Sequence, residues 1–186
     1  MSVIYVATRI ITFFGAYLRT FWEHVACRLC KVGVEDIRAF KSGEMCGHVE
    51  HEVVKAASHS FLICWFPFTM NFVLGCLLLL SGAYKLIYIG HTDAIFNYVT
   101  LWLGVSLLAN CAPSYEDVLT LKDNLYKGDG VVRKIAASPF FAVFYVMSFL
   151  EKFGITLLLA IGFSIGFPYL FGYTFRLLHV LFGEAV

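Results

Sequence analysis

The sequence predicts an all-α fold, a polytopic bundle of transmembrane helices. Of its 186 residues 60% are apolar and 17% aromatic, mean hydropathy is +0.78, and residues 56–84 contain no Asp, Glu, Lys or Arg. Charged residues make up 15%, well below the roughly one quarter usual in soluble chains. A helix rises about 1.5 Å per residue, so about 20 apolar residues cross the hydrocarbon core of a bilayer. The central segment 61–83, bounded outside by Lys55 and Lys85, exceeds that length. Lipid cannot hydrogen-bond a backbone, so neighbouring apolar segments must be helical or buried in protein.

Composition also excludes partners. A formal net charge of +1 leaves no basic excess to attract nucleic acid. The expected partners are membrane lipid and other membrane polypeptides. Cys64 and Cys76 lie inside an apolar span, where cysteine acts as a small hydrophobe, so the six cysteines do not imply a disulfide framework. The N-terminus has no positive cluster before its apolar run, which predicts a retained helix rather than a signal peptide.

The first span is expected at 3–22, within a helical stretch reaching about residue 32. Small and polar residues recur there in steps of three and four at Arg9, Thr12, Ala16, Arg19, Glu23, Cys27 and Cys30, forming one stripe. An arginine at mid-bilayer costs at least about 2.5 kcal/mol, so Arg9 and Arg19 must snorkel to an interface or face protein. Snorkelling ends are the simpler expectation, an intramembrane charged stripe of Arg9, Arg19 and Glu23 the alternative. Arg19 and Glu23, one turn apart, are expected to pair.

Residues 33–60 turn polar, with alternation at 34–40 and again at 48–52 and turns at Ser42-Gly43 and Cys46-Gly47. That pattern predicts a small surface hairpin supported by the helices. Spans at 61–83 and 94–112 follow, the second ended by Pro113. Ser114 is then a predicted N-cap, with Glu116 and Asp117 in the first turn and Val118, Leu121 and Leu125 on one apolar face of a short amphipathic helix. Residues 135–150 are short for a full crossing and predict an interfacial or bent helix over 139–150, with a fifth span, which would move the C-terminus to the other side, as the alternative. The last span is expected at 153–175, where Gly154, Gly162 and Gly166 would admit a closely packed helix and Pro168 a kink.

With four spans the loops 23–60 and 113–152 share a side and carry ten of the basic residues, against Lys85 and Arg176 opposite. The positive-inside rule assigns both loops to the cytoplasmic or matrix side.

Chemistry is expected among Glu23, His24, Cys27, Cys30, His48, His51 and Asp117, the residue types that bind zinc. Against a zinc site, Cys27 and Cys30 would pack as small apolar residues and His48 and His51 would lie in a solvated loop. His59, His91 and His179 read as interface or loop histidines.

Three stretches carry a resemblance: TFWEHVACRLCKVGVEDIRAF (20–40), GHVEHEVVKAASHSFLICWFP (47–67) and WLGVSLLANCAPSYED (102–117). In this order they are similar to the metal-binding helix, the Gly-aromatic-Val-x-His-Glu stretch and the Pro-Ser-acidic span end of site-2-protease-like intramembrane metallopeptidases, in a small bacterial and archaeal branch. The resemblance implies two zinc-binding histidines one turn apart with an adjacent glutamate as base. Here Thr20 and Phe21 stand where the first histidine and the glutamate are expected if His24 is the second. Asp117 would match the distal carboxylate ligand, and Asn110 with Pro113 the Asn-x-x-Pro approach to it.

Three functional readings result. The first is a catalytically silent, metalloprotease-like membrane protein, a subunit or adaptor without catalytic residues or a cofactor. The second is an intramembrane zinc hydrolase with the atypical ligands His24, His51 and Asp117. The third is a small structural subunit of a larger membrane complex.

Overall fold

The computed structural model describes residues 3–37, 48–92, 94–127 and 131–182, with side chains of 131–133 and 177–182 left aside. Seven α-helices are described: α1 (Val3–Ile11), α2 (Phe13–Leu29), α3 (Ala57–Ser81), α4 (Ile95–Ala109), α5 (Tyr115–Tyr126), α6 (Val131–Glu151) and α7 (Ile155–Phe182). Two short strands, β1 (Val34–Ile37) and β2 (Val49–His51), pair antiparallel between α2 and α3, as the alternation predicts. The predicted turns at Ser42-Gly43 and Cys46-Gly47 fall outside the described residues, as does His179 as a side chain.

Three helical stretches are long and apolar enough to cross a membrane: Ala57–Ile89, Lys134–Glu151 and Ile155–Arg176. The first runs through α3 into a π-helical turn, Tyr84–Ile89, and stops at Gly90, whose φ of +80° suits glycine. The chain is thus an all-α protein with integral-membrane character, and large apolar side chains such as Leu77, Leu158 and Leu170 stay exposed on it.

The spans differ from the sequence expectation in three places. The first helix breaks at Thr12, where φ/ψ is −107°/33°, so 3–22 is not one rod. Helix α4 has 15 residues, about 22 Å, rather than the 19 of 94–112. Residues 135–150 lie within a helix of 21 residues, longer than the predicted 139–150, which continues through Pro139. α6 and α7 part at Gly154, whose φ of +71° disfavours any side chain. A Cβ there would also lie 2.8 Å from Ile4 of α1, which rests against this corner.

α3 and α4 form the centre. Gly75 and Gly104 face each other at their crossing, where a Cβ on Gly104 would sit 3.2 Å from the Gly75 carbonyl oxygen. α2 packs along α3 with Trp22 against Phe66 and Asn71 donating to the Gly15 carbonyl oxygen. Phe61, Trp65 and Phe68 of α3 meet Phe140 and Phe144 of α6, closing a second cluster with Val118 and Leu121 of α5. Gly162 and Gly166 of α7 face open space among the described residues.

The two long connecting segments meet at one end of the bundle. Asn124 of α5 donates to the Val54 carbonyl oxygen at 2.6 Å and to the Ser60 hydroxyl at 2.7 Å. This junction ties the link after β2 and the first turn of α3 to the last turn of α5.

Candidate metal centre and the cavity beside it

Two polar tiers lie inside the bundle. The deeper one is built on α1 and α2. The Arg9 and Arg19 guanidiniums both donate to the same Glu151 oxygen, Oε1, Arg19 at 2.8 Å, and Arg9 donates also to Asn110 Oδ1. Asn110 is fixed in turn by donating to the Thr12 hydroxyl at 2.8 Å and the Ser106 carbonyl oxygen at 2.7 Å. Snorkelling is therefore overturned: Arg9, Arg19 and Glu23 are 4%, 2% and 2% exposed and face protein. The carboxylate recorded on Arg19 is Glu151, 132 residues away, rather than Glu23 one turn along, because a partner across the bundle can approach end-on while Glu23 turns to the hairpin.

The second tier lies at the hairpin end. Glu23 sits on the inward face of α2, in the buried series Ala16, Arg19, Thr20, Glu23, Ala26 and Cys27. His48 immediately precedes β2, and the hairpin folding back onto α2 brings its Nδ1 to 2.7 Å from Glu23 Oε1. Asp117 occupies the first turn of α5. Ser114 caps that helix by accepting from the Asp117 N–H at 3.1 Å, and its hydroxyl donates to Asp117 Oδ2 at 2.6 Å. Glu23, His48 and Asp117 each offer one ligand atom, all within 4.8 Å of one another and all buried.

The expectation that His48 and His51 lie in a solvated loop is corrected. His48 is buried at 7% exposure, and His51 is half-buried in β2 with its Nε2 3.0 Å from Asp117 Oδ1. Its other nitrogen, Nδ1, faces the Glu52 carbonyl oxygen at 2.9 Å. Both partners only accept, so both ring nitrogens must donate and His51 is an imidazolium. The hydrogen bond to Asp117 therefore raises His51 to about 9, against the opposing effect of burial. For Asp117 burial pushes upward, but the His51 hydrogen bond, the neighbouring His48 and the Ser114 hydroxyl outweigh it and hold the carboxyl well below its ordinary value. Burial opposes charge on His48 as well, and adjacent Glu23 more than compensates, raising it.

Glu23 Oε1 and His48 Nδ1 are each other's ion-pair contact. Glu23 Oε2 is buried without a hydrogen-bond partner. Buried carboxylate oxygens seldom go unsatisfied, and a cation shared with His48 and Asp117 would satisfy them. Ligands about 2.1 Å from a tetrahedral zinc lie about 3.4 Å apart. The observed 2.7 Å from His48 to Glu23 is shorter than that spacing and the 4.0 Å from His48 to Asp117 longer, so the donor types suit the ion and the side chains would shift by several tenths of an ångström to hold it.

Of the sequence-predicted ligands His24, His51 and Asp117, only the last two come together. His24 lies about 100° around α2 from Glu23, its Nδ1 buried without a partner and outside the cluster. The residues one turn apart that face Asp117's side of α2 are Arg19 and Glu23, one position before Thr20 and His24. Cys27 and Cys30 pack with Ala26, Val54 and Ile63, the small-hydrophobe role anticipated for them. His59 and His91 are exposed.

A cavity of about 390 Å³ adjoins both tiers; Arg19, His48, Ser114, Ser148 and Glu151 line it. Its mouth lies between the start of α5, at Tyr115 and Glu116, and the α6–α7 corner, at Lys152 and Phe153. Compared with family models, with curated proteins and with solved structures, the chain matches none.

Proposed function

We propose that this chain is a membrane-embedded zinc protein of the metallohydrolase type, with Glu23, His48 and Asp117 as ligands and the cavity as the place where a substrate lies. The carrying observation is the buried Glu23 carboxylate, with Oε1 against His48 and Oε2 unpartnered, gathered with His48 and Asp117. Three protein ligands leave a fourth position, the pattern of catalytic rather than structural zinc, and zinc there supplies Lewis acidity and an activated water. His51 positions Asp117 from behind, and Ser114 fixes the same carboxylate from the helix cap. The resemblance to site-2-protease-like enzymes points to the same chemistry, with glutamate in place of a histidine ligand. The loops carrying the site belong on the cytoplasmic or matrix side by their basic residues.

A catalytically silent reading, in which the protein serves as a subunit or adaptor, is favoured by one observation. Glu151, the buried carboxylate of the cavity wall, accepts from two arginines and is committed to holding the bundle together. Zinc analysis of detergent-purified protein, followed by a chelator-sensitive peptide hydrolysis assay in vesicles, separates the readings. Roughly one zinc per chain with chelator-sensitive turnover supports the hydrolase. Zinc without turnover supports the silent protein, and absence of zinc overturns the metal centre.

A further inference from the structure

We propose that α1 is a hinged lid on the cavity, turning at Thr12 and latched shut by Arg9 on Glu151. The inference rests on the proposed function in taking the cavity as the place where a substrate lies, but the movement itself needs no metal.

The hinge is the first observation. At Thr12 part of the helical hydrogen-bond ladder is handed to α4. The Gly15 N–H donates to the Ser106 hydroxyl at 2.9 Å, where an unbroken helix would have it donate to the Ile11 carbonyl oxygen. That hydroxyl donates in turn to the Thr12 carbonyl oxygen at 3.0 Å, and Asn110 Nδ2 donates to the same oxygen at 3.1 Å. A side chain inserted into the ladder kinks a helix at the point of insertion. Because α4 satisfies these groups, α1 can change its angle to α2 without orphaning the Gly15 N–H or the Thr12 carbonyl oxygen.

The second observation is what α1 covers. Tyr5 lines the cavity. Ile4 and Thr8 rest on the α6–α7 corner, where a Cβ on Gly154 would lie 2.8 Å from Ile4 and 2.9 Å from Thr8, next to Phe153 at the mouth. Ile10 and Ile11, by contrast, are 61% and 56% exposed. α1 therefore sits on the bundle by one edge, and lifting that edge from the corner widens the mouth. Its outward isoleucines move through lipid, so the motion brings no new apolar surface into water.

The third is the latch. Arg9, one turn from Tyr5 on α1 and with its guanidinium 5.3 Å from the Tyr5 ring centroid, donates to Glu151 and to Asn110. Glu151 is itself a cavity-lining residue, so the contact that closes the lid is made on the cavity wall. Arg19 of α2 donates to the same Glu151 oxygen at 2.8 Å. Breaking a buried ion pair is costly chiefly because one charge is left uncompensated. Here Glu151 keeps Arg19 when Arg9 departs with α1, so the latch can open without stranding the carboxylate. Lids of this kind gate access to a site by moving on a few residues at the end of an element.

Thiol labelling tests this in chelated, detergent-solubilised protein carrying Ser148→Cys, accepted if its circular dichroism matches wild type. Ser148 lines the cavity and is buried, so a thiol introduced there reports access. The probe is fluorescein maleimide, with the labelled peptides read by mass spectrometry. Cys64, fully buried in the cluster of α3 with α5 and α6, is the internal control. Adding Arg9→Gln should raise the labelling rate at position 148 at least about tenfold and leave Cys64 unchanged. Ser106→Ala, which lets Gly15 rejoin its own helix, should lift α1 from the corner and do the same. No acceleration in either variant, or a parallel rise at Cys64, overturns the lid. Acceleration by Arg9→Gln alone overturns the hinge at Thr12, and acceleration by Ser106→Ala alone overturns the latch. With no metal present, each result holds whether or not the zinc reading does.

Discussion

Replacing Glu151 by glutamine should destabilise the bundle more than almost any other single polar change. The substitution keeps size and shape but removes the negative charge on which Arg9 and Arg19 converge. Removing one partner of a buried ion pair costs about 3–5 kcal/mol, because the remaining charge is left uncompensated. Here two guanidiniums lose their partner, and Arg9 retains Asn110 while Arg19 loses the only carboxylate recorded in contact with it among the described residues. Against a total stability of about 5–15 kcal/mol the loss is large. For a chain of this length it corresponds to a fall in melting temperature of roughly 6–20 °C. Thermal unfolding of detergent-solubilised protein, followed by intrinsic tryptophan fluorescence, reads this directly. The electrostatic origin predicts a second result: Arg19→Met introduced into the Glu151→Gln background should recover part of the loss, since it removes the stranded charge. A melting temperature within about 2 °C of wild type in Glu151→Gln, or a further fall in the double variant, would refute the reasoning.

Gly15→Ala should separate α2 from α4, because its Cβ would lie 2.0 Å from the Ser106 carbonyl oxygen; a loss of about 1–3 kcal/mol is expected in the same melting assay. His48→Ala should abolish zinc binding while His24→Ala leaves it intact, measured by metal content after gel filtration; the reverse result would restore the ligand set anticipated from sequence. In chelated protein, the His51–Asp117 pair should stabilise the hairpin end in a pH-dependent way. His51 is raised in the folded state, so its contribution is fully present below about 6.5, the unfolded value, and is lost as pH rises through about 9. Melting temperatures between pH 6 and 10 should show that loss, and His51→Gln should flatten the profile.

Much of the scaffold was legible because lipid imposes simple rules. The uncharged window around α3, the alternation of β1 and β2, and the Ser114 cap with Val118, Leu121 and Leu125 beneath it are local patterns. The break at Thr12 was not legible, since no proline marks it; the helix before it rests on the corner at Gly154. The α2 stripe identified Arg9, Arg19 and Glu23 as one inward face, yet Arg19's partner Glu151 lies 132 residues on and only tertiary packing could reveal it. For the site, residue types drew attention to His24, the histidine nearest the expected motif. Helical phase decides against it: the buried steps from Ala16 through Arg19 and Glu23 to Ala26 put Glu23, not His24, toward Asp117. His48 was misjudged because a polar hairpin looks solvated until it is seen folded onto α2.

X-ray absorption at the zinc edge tests the centre most directly. The predicted spectrum of zinc-loaded protein shows nitrogen and oxygen neighbours at about 2.0–2.2 Å, with the multiple-scattering signature of one imidazole, and loses zinc altogether in Asp117→Asn. A sulfur shell near about 2.3 Å, placing the ion on Cys27 and Cys30, or no bound zinc in the wild-type protein, would contradict it.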